Sequence, residues 1–255
     1  MAESKGYCDL SGHTAIVTGA SGGIGSAIAL ELGRAGADVA VHYNKNKSNA
    51  EKVAGRIESS GGKAKPFKLD LRDFDGIPSF VEAVSKELSP ADILVNNAGI
   101  NMEGFLVRLT QEDVSEVFNV NLMSTFYLSR ECAKYMMKNR WGRLVYISSP
   151  AAVAGSPAQS AYAASKSGLS GFSKSISLEL GKRNITSNVV IPGIIETDML
   201  TGMTDDRRTE LTKRIPIGRF GDPAEVGKFI RFVVSEEASY LNGQELHLNG
   251  GGVIY

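Results

Sequence analysis

Tyr162 and Lys166 stand four residues apart in a stretch rich in Ala, Leu and Phe. On a helix, residues at that spacing share one face, so the ammonium group can lie beneath the phenol. A free tyrosine has a pKa of about 10, and a fixed positive charge nearby would lower that pKa. The pair therefore predicts a general acid that exchanges a proton with a developing alkoxide near neutral pH.

Two further polar residues precede this pair along the chain. Ser149 lies thirteen residues before Tyr162 at the end of a predicted strand, where its hydroxyl could hold a substrate carbonyl. Asn121 falls within a long helical pattern, and an amide in such a place needs a specific hydrogen-bond partner. Each also has a plainer interpretation: the pair can occur by chance on an amphipathic helix, Ser149 can simply end a strand, and Asn121 can satisfy a helix carbonyl.

A glycine-rich segment at residues 18–25 (TGASGGIG) joins the first predicted strand to the first predicted helix. A backbone without side chains can approach a pyrophosphate, and the helix N-terminus offers free N–H groups. An acidic residue at the end of the second strand would favour NAD by binding its ribose 2′-hydroxyl. Residues 42–47 (HYNKNK) contain no carboxylate and two lysines, which favours NADP(H) over NAD. A glycine turn without a ligand and ordinary solvated lysines are the alternatives.

The elements that must position these residues alternate along the chain. Short β-branched runs predict strands, and longer segments of helical period lie between them. The strands are predicted at residues 13–18, 38–43, 64–70, 92–96, 143–148, 186–191 and 245–248. Helices are predicted from about residue 23 and at residues 48–60, 77–88, 111–139, 159–183 and 223–235.

The strands are apolar throughout rather than alternating, which is typical of a parallel sheet covered by helices on both faces. The sequence therefore predicts an α/β fold, a single-domain Rossmann-like doubly wound parallel sheet of about seven strands with helices on both faces. We expect one domain over residues 1–255, with an N-terminal extension at 1–10 and a substrate lid at about 197–215. In such sheets ligands bind at the carboxyl ends of the strands, where the motifs above fall.

Composition excludes several classes of function. Lys+Arg and Asp+Glu both number 28, so no overall field draws the chain to nucleic acid or to an anionic membrane. The two cysteines are too few for a disulfide scaffold, and the three histidines lack metal-ligand spacing. We see no secretory signal or membrane-length apolar run, and we expect a cytoplasmic protein without a bound metal. Glycine makes up 28 of 255 residues, as expected of a backbone that approaches a ligand closely.

Taken together, these motifs resemble the short-chain dehydrogenase/reductase family from about residue 11 to about residue 252. The resemblance rests on the loop at 18–25, residues 96–99 (NNAG), Asn121, Ser149, residues 162–166 (YAASK), and Pro192-Gly193. Within the family, four stretches are similar to 3-oxoacyl-[acyl-carrier-protein] reductases: 94–100 (LVNNAGI), 191–199 (IPGIIETDM), 215–223 (IPIGRFGDP) and 243–251. The resemblance implies NADPH-dependent reduction of a 3-oxoacyl thioester on an acyl carrier protein, by hydride transfer, to the 3-hydroxyacyl thioester.

The resemblance also implies roles for individual residues. Tyr162 would be the general acid and Ser149 would polarise the ketone. Lys166 would also bind the nicotinamide ribose, and Asn121 would anchor a water that resupplies the proton. The implied cofactor contacts are Gly19, Ser21, Gly23, Ile24 and Gly25 at the pyrophosphate, Tyr43, Asn44 and Lys45 after the second strand, Asp70 and Leu71 at adenine, Asn97, Ala98 and Gly99 beside the adenosine ribose, Tyr162 and Lys166, and Pro192, Gly193, Ile195 and Thr197 near the nicotinamide.

Some residues depart from the pattern of the resembled family. Gly22 stands where NADP-binding members often have a basic residue, so selection of the 2′-phosphate would depend on residues 44–47. Ala152 and Ala158 stand where many carrier-protein reductases have glycine. The resemblance further implies a homotetramer, and carrier docking at Arg140 and Arg183 beside the mouth of the site. The alternative is that these two arginines only complement the negative end of a helix dipole.

Two other functions remain open. Another short-chain ketoreductase or secondary-alcohol dehydrogenase, acting on a substrate without a carrier, would keep the chemistry and differ in the lid. The lid residues Met199, Leu200 and Met203 suit an acyl chain, but they can equally pack against the core. A non-catalytic nicotinamide-binding protein is the third possibility, and the set of four polar residues argues against it.

Overall fold

The computed structural model describes residues 6–197 and 200–254. Within these residues, seven parallel strands form one sheet in the order β3-β2-β1-β4-β5-β6-β7. They are β1 (Thr14–Val17), β2 (Asp38–Tyr43), β3 (Ala64–Lys68), β4 (Ile93–Asn96), β5 (Gly142–Ile147), β6 (Ile185–Pro192) and β7 (Glu245–Leu248). The predicted doubly wound parallel sheet is confirmed.

Helices connect the strands and cover the sheet on both faces. They are α1 (Gly23–Arg34), α2 (Lys47–Ser59), α3 (Ile77–Glu87), α4 (Gln111–Phe118), α5 (Ser124–Asn139), α6 (Ala151–Ala154), α7 (Ser160–Leu180), α8 (Asp205–Lys213) and α9 (Pro223–Val233). One apolar cluster joins α1, α2 and α9 to the sheet, and a second joins α3, α5 and α7 to its other face. Because both faces are covered, successive residues of a strand such as Ile16 and Val17 enter different clusters.

The longest predicted helix differs from the structure. The sequence predicts one helix over residues 111–139, whereas the structure has α4, a π-helical turn at Asn119–Met123 and then α5. The helix predicted over 159–183 is α7 followed by a 3-10 turn at Gly181–Arg183. A pattern of apolar residues does not distinguish α-helix from these wider or tighter turns, because all of them keep one face towards the core.

Two predicted segments extend into residues that the structure does not describe. Of the N-terminal extension, residues 1–5 lie outside the described residues, while Cys8 and Leu10 are buried. Of the lid, residues 198 and 199 lie outside, and the remainder contains α8. The division into a single domain with these two appendages stays a prediction. In the described part of the chain no helix is both long and apolar enough to cross a bilayer.

The amino edge of the sheet contains a cluster of stacked side chains around the chain's one tryptophan, Trp141. The guanidinium of Arg143, which is fully buried, lies 4.3 Å from the Trp141 ring centroid. The His13 ring stacks on Trp141 with centroids 3.9 Å apart, and its Nδ1 lies 2.8 Å from Asp92 Oδ2. Asp92 also accepts a 2.9 Å hydrogen bond from the Thr14 N–H. This carboxylate therefore ties the start of β1 to the start of β4.

Candidate active site

The opposite edge of the sheet collects the predicted site residues. All strands are parallel, so their carboxyl ends lie along one edge, and the chain turns to opposite sides of the sheet after β1 and β4. A crevice opens at such a reversal of strand order. The glycine loop follows β1, residues 97–99 follow β4, and Ser149 follows β5. The next helix, α7, adds Tyr162 and Lys166.

Lys166 is held beneath the end of β5. Its side chain is buried, with 3% of the residue exposed, and its Nζ donates a 2.7 Å hydrogen bond to the Ile147 carbonyl. The Ser148 hydroxyl donates to the Lys166 carbonyl at 3.2 Å. Burial lowers the pKa of Lys166 to about 8. The lysine therefore has one defined position, and burial brings its pKa closer to neutral pH.

The pKa of Tyr162 differs from the sequence-based expectation. Burial raises this pKa above its ordinary value, and a hydrogen bond with the Ser149 side chain only partly opposes the change. Lys166 Nζ lies 6.0 Å from the Tyr162 ring centroid. The predicted lowering of the tyrosine pKa is therefore wrong for this geometry, because removal of the phenol from water has the larger effect. A raised pKa keeps the phenol protonated, as a proton donor requires.

Asn121 lies in the π-helical turn between α4 and α5 and is 1% exposed. Its Oδ1 accepts from the Ile100 N–H at 2.8 Å, and its Nδ2 donates to the Ile100 carbonyl at 2.9 Å. Nδ2 also donates to Ser165 Oγ at 3.0 Å, and that hydroxyl donates to the Tyr162 carbonyl at 2.8 Å. Asn121 therefore connects the loop after β4 to the helical turn that holds the tyrosine.

The glycine loop has the geometry that a phosphate group requires. Gly19 and Gly23 adopt left-handed backbone angles, with φ of +65° and +54°. A Cβ on Gly25 would lie 2.4 Å from the Gly19 carbonyl oxygen, so only glycine allows the turn to close on α1. Gly22 precedes the helix without a side-chain cap, and the first turn of α1 contains no acidic residue. Its N–H groups are thus free to bind an anion, and Ser21 and Ile24 flank them.

The residues after β4 close the crevice from its other side. Asn97 Nδ2 donates to the Thr18 carbonyl at 2.9 Å, and Thr18 Oγ1 accepts from the N–H groups of Asn97 and Ala98 at 2.9 and 3.0 Å. A Cβ on Gly99 would lie 3.1 Å from Lys166 Nζ and 3.3 Å from Asn121 Oδ1. The absence of a side chain at Gly99 lets this loop pack against both residues. The loop, the crevice and the uncapped helix together fit a dinucleotide.

The predicted adenine end contains an ion pair that the sequence analysis missed. Tyr43 ends β2 and is buried, Asn44 is half-buried and Lys45 is exposed, whereas Asp70 and Leu71 follow β3. Arg72 Nε and Nη2 donate to the two carboxylate oxygens of Asp70 at 2.9 and 2.6 Å. These bonds lower the pKa of Asp70 to about 2. A cation two residues after a predicted ligand is a signal that sequence analysis could use.

The predicted nicotinamide end lies along the chain after β6, which ends at Pro192. Gly193 follows, and Ile195 is buried and forms an isolated β-bridge with Gly221. A Cβ on Gly23 would lie 3.7 Å from Thr197 Cγ2, so Thr197 lies against the glycine loop. The site thus reaches from the start of α1 to the base of the predicted lid.

The predicted lid contains α8, which has no buried residues. Arg208 on this helix forms an ion pair with Glu196, and its guanidinium lies 5.0 Å from the Phe220 ring centroid. Arg208 therefore links the lid to Glu196, the neighbour of Thr197, and to Phe220.

Two further observations concern residues outside the crevice. His42, which the sequence analysis considers only as a histidine without metal-ligand spacing, forms hydrogen bonds with the Gly19 N–H and the Leu69 carbonyl beneath the glycine loop. Arg140 ends α5, where its Nη2 donates to the Lys182 carbonyl at 3.3 Å. Arg140 and Arg183 immediately precede β5 and β6, so they lie at the amino edge, away from Tyr162 of the same chain. The topology therefore does not place these two arginines beside the mouth of their own chain's site, as the sequence analysis expected.

Comparison with known proteins identifies the family. A family model described as Enoyl-(Acyl carrier protein) reductase matches residues 19–252. The chain is 41% identical over 240 residues to the 3-oxoacyl-[acyl-carrier-protein] reductase FabG of Escherichia coli strain K12, covering 94% of this chain and 97% of that protein. It is also 41% identical over 243 residues to Nodulation protein G of Rhizobium sp. strain N33, covering 95% and 98%.

A solved structure leads to the same family. A candidate NAD(P)-dependent gluconate 5-dehydrogenase from Beutenbergia cavernae, crystallised with bound NADP, matches with a TM-score of 0.91 and 35% identity. The match covers 97% of this chain and 99% of that one. The chain belongs to the short-chain dehydrogenase/reductase family of oxidoreductases.

Proposed function

We propose that this protein reduces a 3-oxoacyl thioester, carried by an acyl carrier protein, to the 3-hydroxyacyl thioester at the expense of NADPH. The observation that carries the proposal is the convergence of Ser149, Tyr162 and Lys166 beside the glycine loop at the carboxyl edge of the sheet. The similarity to the E. coli FabG reductase over nearly the whole of both chains supports the substrate class.

The residues of the site have distinct parts in this reaction. A nicotinamide dinucleotide held by the glycine loop and the residues after β4 would supply the hydride for the carbonyl carbon of the substrate. The Ser149 hydroxyl holds the carbonyl oxygen, and the Tyr162 hydroxyl donates a proton as that oxygen becomes an alkoxide. Lys166, fixed on the Ile147 carbonyl, provides the titratable group beneath the tyrosine. Asn121 holds the helical turn of Tyr162 in place through Ser165.

NADPH is the proposed cofactor because of the residues that follow β2. Residues 43–47 contain no carboxylate to repel a 2′-phosphate, and Lys45 and Lys47 are exposed. The bound NADP in the Beutenbergia cavernae structure supports the same choice. We expect kcat/KM to be higher with NADPH than with NADH, and Tyr43→Asp to reverse this preference. A wild-type protein that prefers NADH contradicts the cofactor assignment.

Carrier docking at Arg140 and Arg183 requires a second subunit in this proposal, because both arginines lie across the sheet from Tyr162. We propose a homotetramer in which one subunit's docking residues serve a neighbouring subunit's site. Exposed apolar side chains on the long helices and before β7 support such contacts: Phe126, Leu178 and Tyr240. Light scattering should give the mass of four chains, and a monomer that reduces carrier-bound substrate at full rate contradicts this arrangement.

The docking residues can be tested apart from the chemistry. Arg140→Glu with Arg183→Glu should raise KM for the carrier-bound substrate and reduce its dependence on salt, because an acidic partner loses its attraction. KM for a small acetoacetyl thioester should not change. Equal losses on both substrates would indicate damaged helices, and no loss on either would remove the carrier from the proposal.

A substrate panel distinguishes the proposed function from its nearest alternative. Acyl-carrier-protein thioesters, coenzyme A thioesters, simple ketones and sugars are each assayed with NADPH and NADH by reduced-nicotinamide absorbance. The proposal expects the highest kcat/KM with a carrier-bound 3-oxoacyl chain. The gluconate 5-dehydrogenase description of a structural relative favours a second candidate, a dehydrogenase of a small hydroxylated substrate. Higher kcat/KM with a sugar acid would establish that candidate instead.

A further inference from the structure

His42 occupies an unusual position for a polar side chain. It lies within β2, is 2% exposed, and its ring contacts Phe80 edge-on with centroids 5.7 Å apart. Its Nδ1 lies 3.0 Å from the backbone nitrogen of Gly19, and its Nε2 lies 3.0 Å from the Leu69 carbonyl oxygen. The ring therefore bridges the glycine loop after β1 and the chain that follows β3.

These contacts determine which form of the ring is present. The Gly19 N–H can only donate and the Leu69 carbonyl can only accept, so Nδ1 is an acceptor and Nε2 carries the hydrogen. Only the neutral ring satisfies both contacts. Burial lowers the pKa of His42 to about 4, which agrees with a neutral ring at physiological pH.

The backbone of Gly19 is held on both sides of its Cα. Its N–H donates to His42, and its carbonyl oxygen lies 3.4 Å from Asn97 Nδ2. A Cβ on Gly25 would lie 2.4 Å from that carbonyl oxygen, so the turn packs directly on α1. Rotation of the backbone at Gly19 would therefore move the carbonyl that packs against Gly25 in the first turn of α1. The backbone carbonyl of His42 makes a separate bond with the Ala20 N–H at 2.9 Å.

We propose that His42 is a positioning residue for the dinucleotide: its ring fixes the Gly19 N–H and thereby holds the start of the glycine loop in the conformation that binds the cofactor phosphates. Through Leu69 it also joins this loop to Asp70 at the adenine end. The inference rests on the proposed use of NADP(H). His42 itself does not touch the reacting atoms, so it acts on cofactor affinity rather than on the chemical step.

Two amide variants separate the two hydrogen bonds of the ring. In His42→Asn, the amide oxygen can occupy the place of Nδ1 and keep the bond with Gly19. In His42→Gln, the amide nitrogen can occupy the place of Nε2 and keep the bond with Leu69, but the Gly19 N–H loses its acceptor. Both variants retain the backbone bond with Ala20. His13→Gln, at the amino edge, is the matched control.

Calorimetric titration of NADPH into the full-length chain provides the decisive measurement. We expect His42→Gln to raise Kd about tenfold, because a glycine loop that is no longer held in the binding conformation must be ordered when NADPH binds, and His42→Asn to stay within about twofold of wild type. The value of kcat at saturating NADPH should not change in either, and His13→Gln should bind as wild type does. Equal losses in both His42 variants, or unchanged Kd with a lower melting temperature, would overturn the proposal.

A second measurement does not depend on the variants folding. In the wild-type protein, with and without NADPH, the Gly19 amide should exchange its hydrogen slowly, because it is already bonded to His42. Exchange as fast as that of an exposed amide overturns the proposal. Wild-type protein that binds NADPH but reduces no thioester overturns the proposed substrate alone, and the variant affinities still decide the role of His42. Wild-type protein that binds neither nicotinamide cofactor overturns both.

Discussion

The two edges of the sheet both bury polar and charged groups, but they treat charge differently. At the amino edge, Asp92 pairs with His13, and the buried Arg143 lies 3.5 Å from the carboxylate of Glu236. At the carboxyl edge, Lys166 is bonded to a backbone carbonyl, and burial is the cause of the shift in its pKa. Burial lowers the pKa of both Arg143 and Lys166, but at Arg143 the carboxylates of Glu236 and Asp92 oppose the change, whereas at Lys166 burial is the one cause. A group whose pKa is shifted in this uncompensated way is a candidate for proton transfer.

Tyr162→Phe, at the carboxyl edge, should have the largest effect of the variants proposed here, and the effect should be on kcat. The change removes the proposed proton donor and little volume, so kcat should fall about 10²–10⁴-fold. NADPH affinity and the free energy of unfolding should stay near their wild-type values. Steady-state kinetics, calorimetric titration and denaturant unfolding measure the three quantities. A variant that keeps more than about a tenth of the wild-type kcat shows that another group is the acid.

Burial of Lys166 should make the free energy of unfolding depend on pH. Its pKa is about 8 in the folded chain and 10.5 in the unfolded one, so between these values the unfolded state binds more protons. The free energy of unfolding should therefore rise with pH across this window, by up to about 3 kcal/mol from this residue. Denaturant unfolding from pH 7 to 11 measures the slope.

Lys166→Met is the control for this slope, since other groups also titrate in the alkaline range. The free energy of unfolding of wild type, minus that of the variant, should increase from pH 8 to 10.5. A difference that stays constant with pH would mean that the lysine is not buried in solution as it is in the structure.

The amino edge should respond in stability and not in catalysis. Asp92→Ala leaves the Thr14 N–H, which is buried, without its acceptor, and should lower the free energy of unfolding by about 1–3 kcal/mol. Asp92→Asn retains an oxygen for that bond and should cost less. The kcat and the KM for NADPH should be unchanged in both. A large loss of kcat in a folded variant would break the proposed separation of the two edges.

The smallest effect concerns the loop beside the site. Ala158 adopts a left-handed backbone with φ of +62°, and its carbonyl accepts a 2.9 Å hydrogen bond from the Gly104 N–H. Ala158→Gly relieves this conformation and should raise the free energy of unfolding by about 0.5–1 kcal/mol. Ala152→Gly, in the right-handed α6, should lower it by a similar amount. Thermal unfolding of both variants tests the opposite signs.

Much of the fold could be predicted from the sequence, because buried parallel strands and amphipathic helices leave strong patterns of apolar residues. The interruption at Asn119–Met123 could not, since a π-helical turn continues the helical pattern around it. The bounds of β3 also differ: the sequence predicts 64–70, whereas the strand is Ala64–Lys68. Strand ends depend on hydrogen bonds with a neighbouring strand, which no local pattern contains.

The candidate site shows the same limit. Tyr162 and Lys166 could be predicted as a pair, because their spacing is local. The direction of the tyrosine pKa could not, because it depends on how deeply the fold buries the phenol. The role of His42 was missed for a related reason, since its partner Gly19 becomes a neighbour only when the strand ends meet. Arg72 lies only two residues from Asp70, so its ion pair could have been predicted from local spacing.

Trp141 is the chain's one tryptophan, and its position determines what tryptophan emission, excited apart from the eight tyrosines, can report. The indole stacks on His13 and contacts the guanidinium of Arg143 at the amino edge. On unfolding, water would replace these neighbours. A change in its emission wavelength therefore signals loss of the sheet. Opening of the glycine loop at the other edge should leave the emission wavelength unchanged. The chain thus carries an optical means of telling global unfolding from local release of the cofactor.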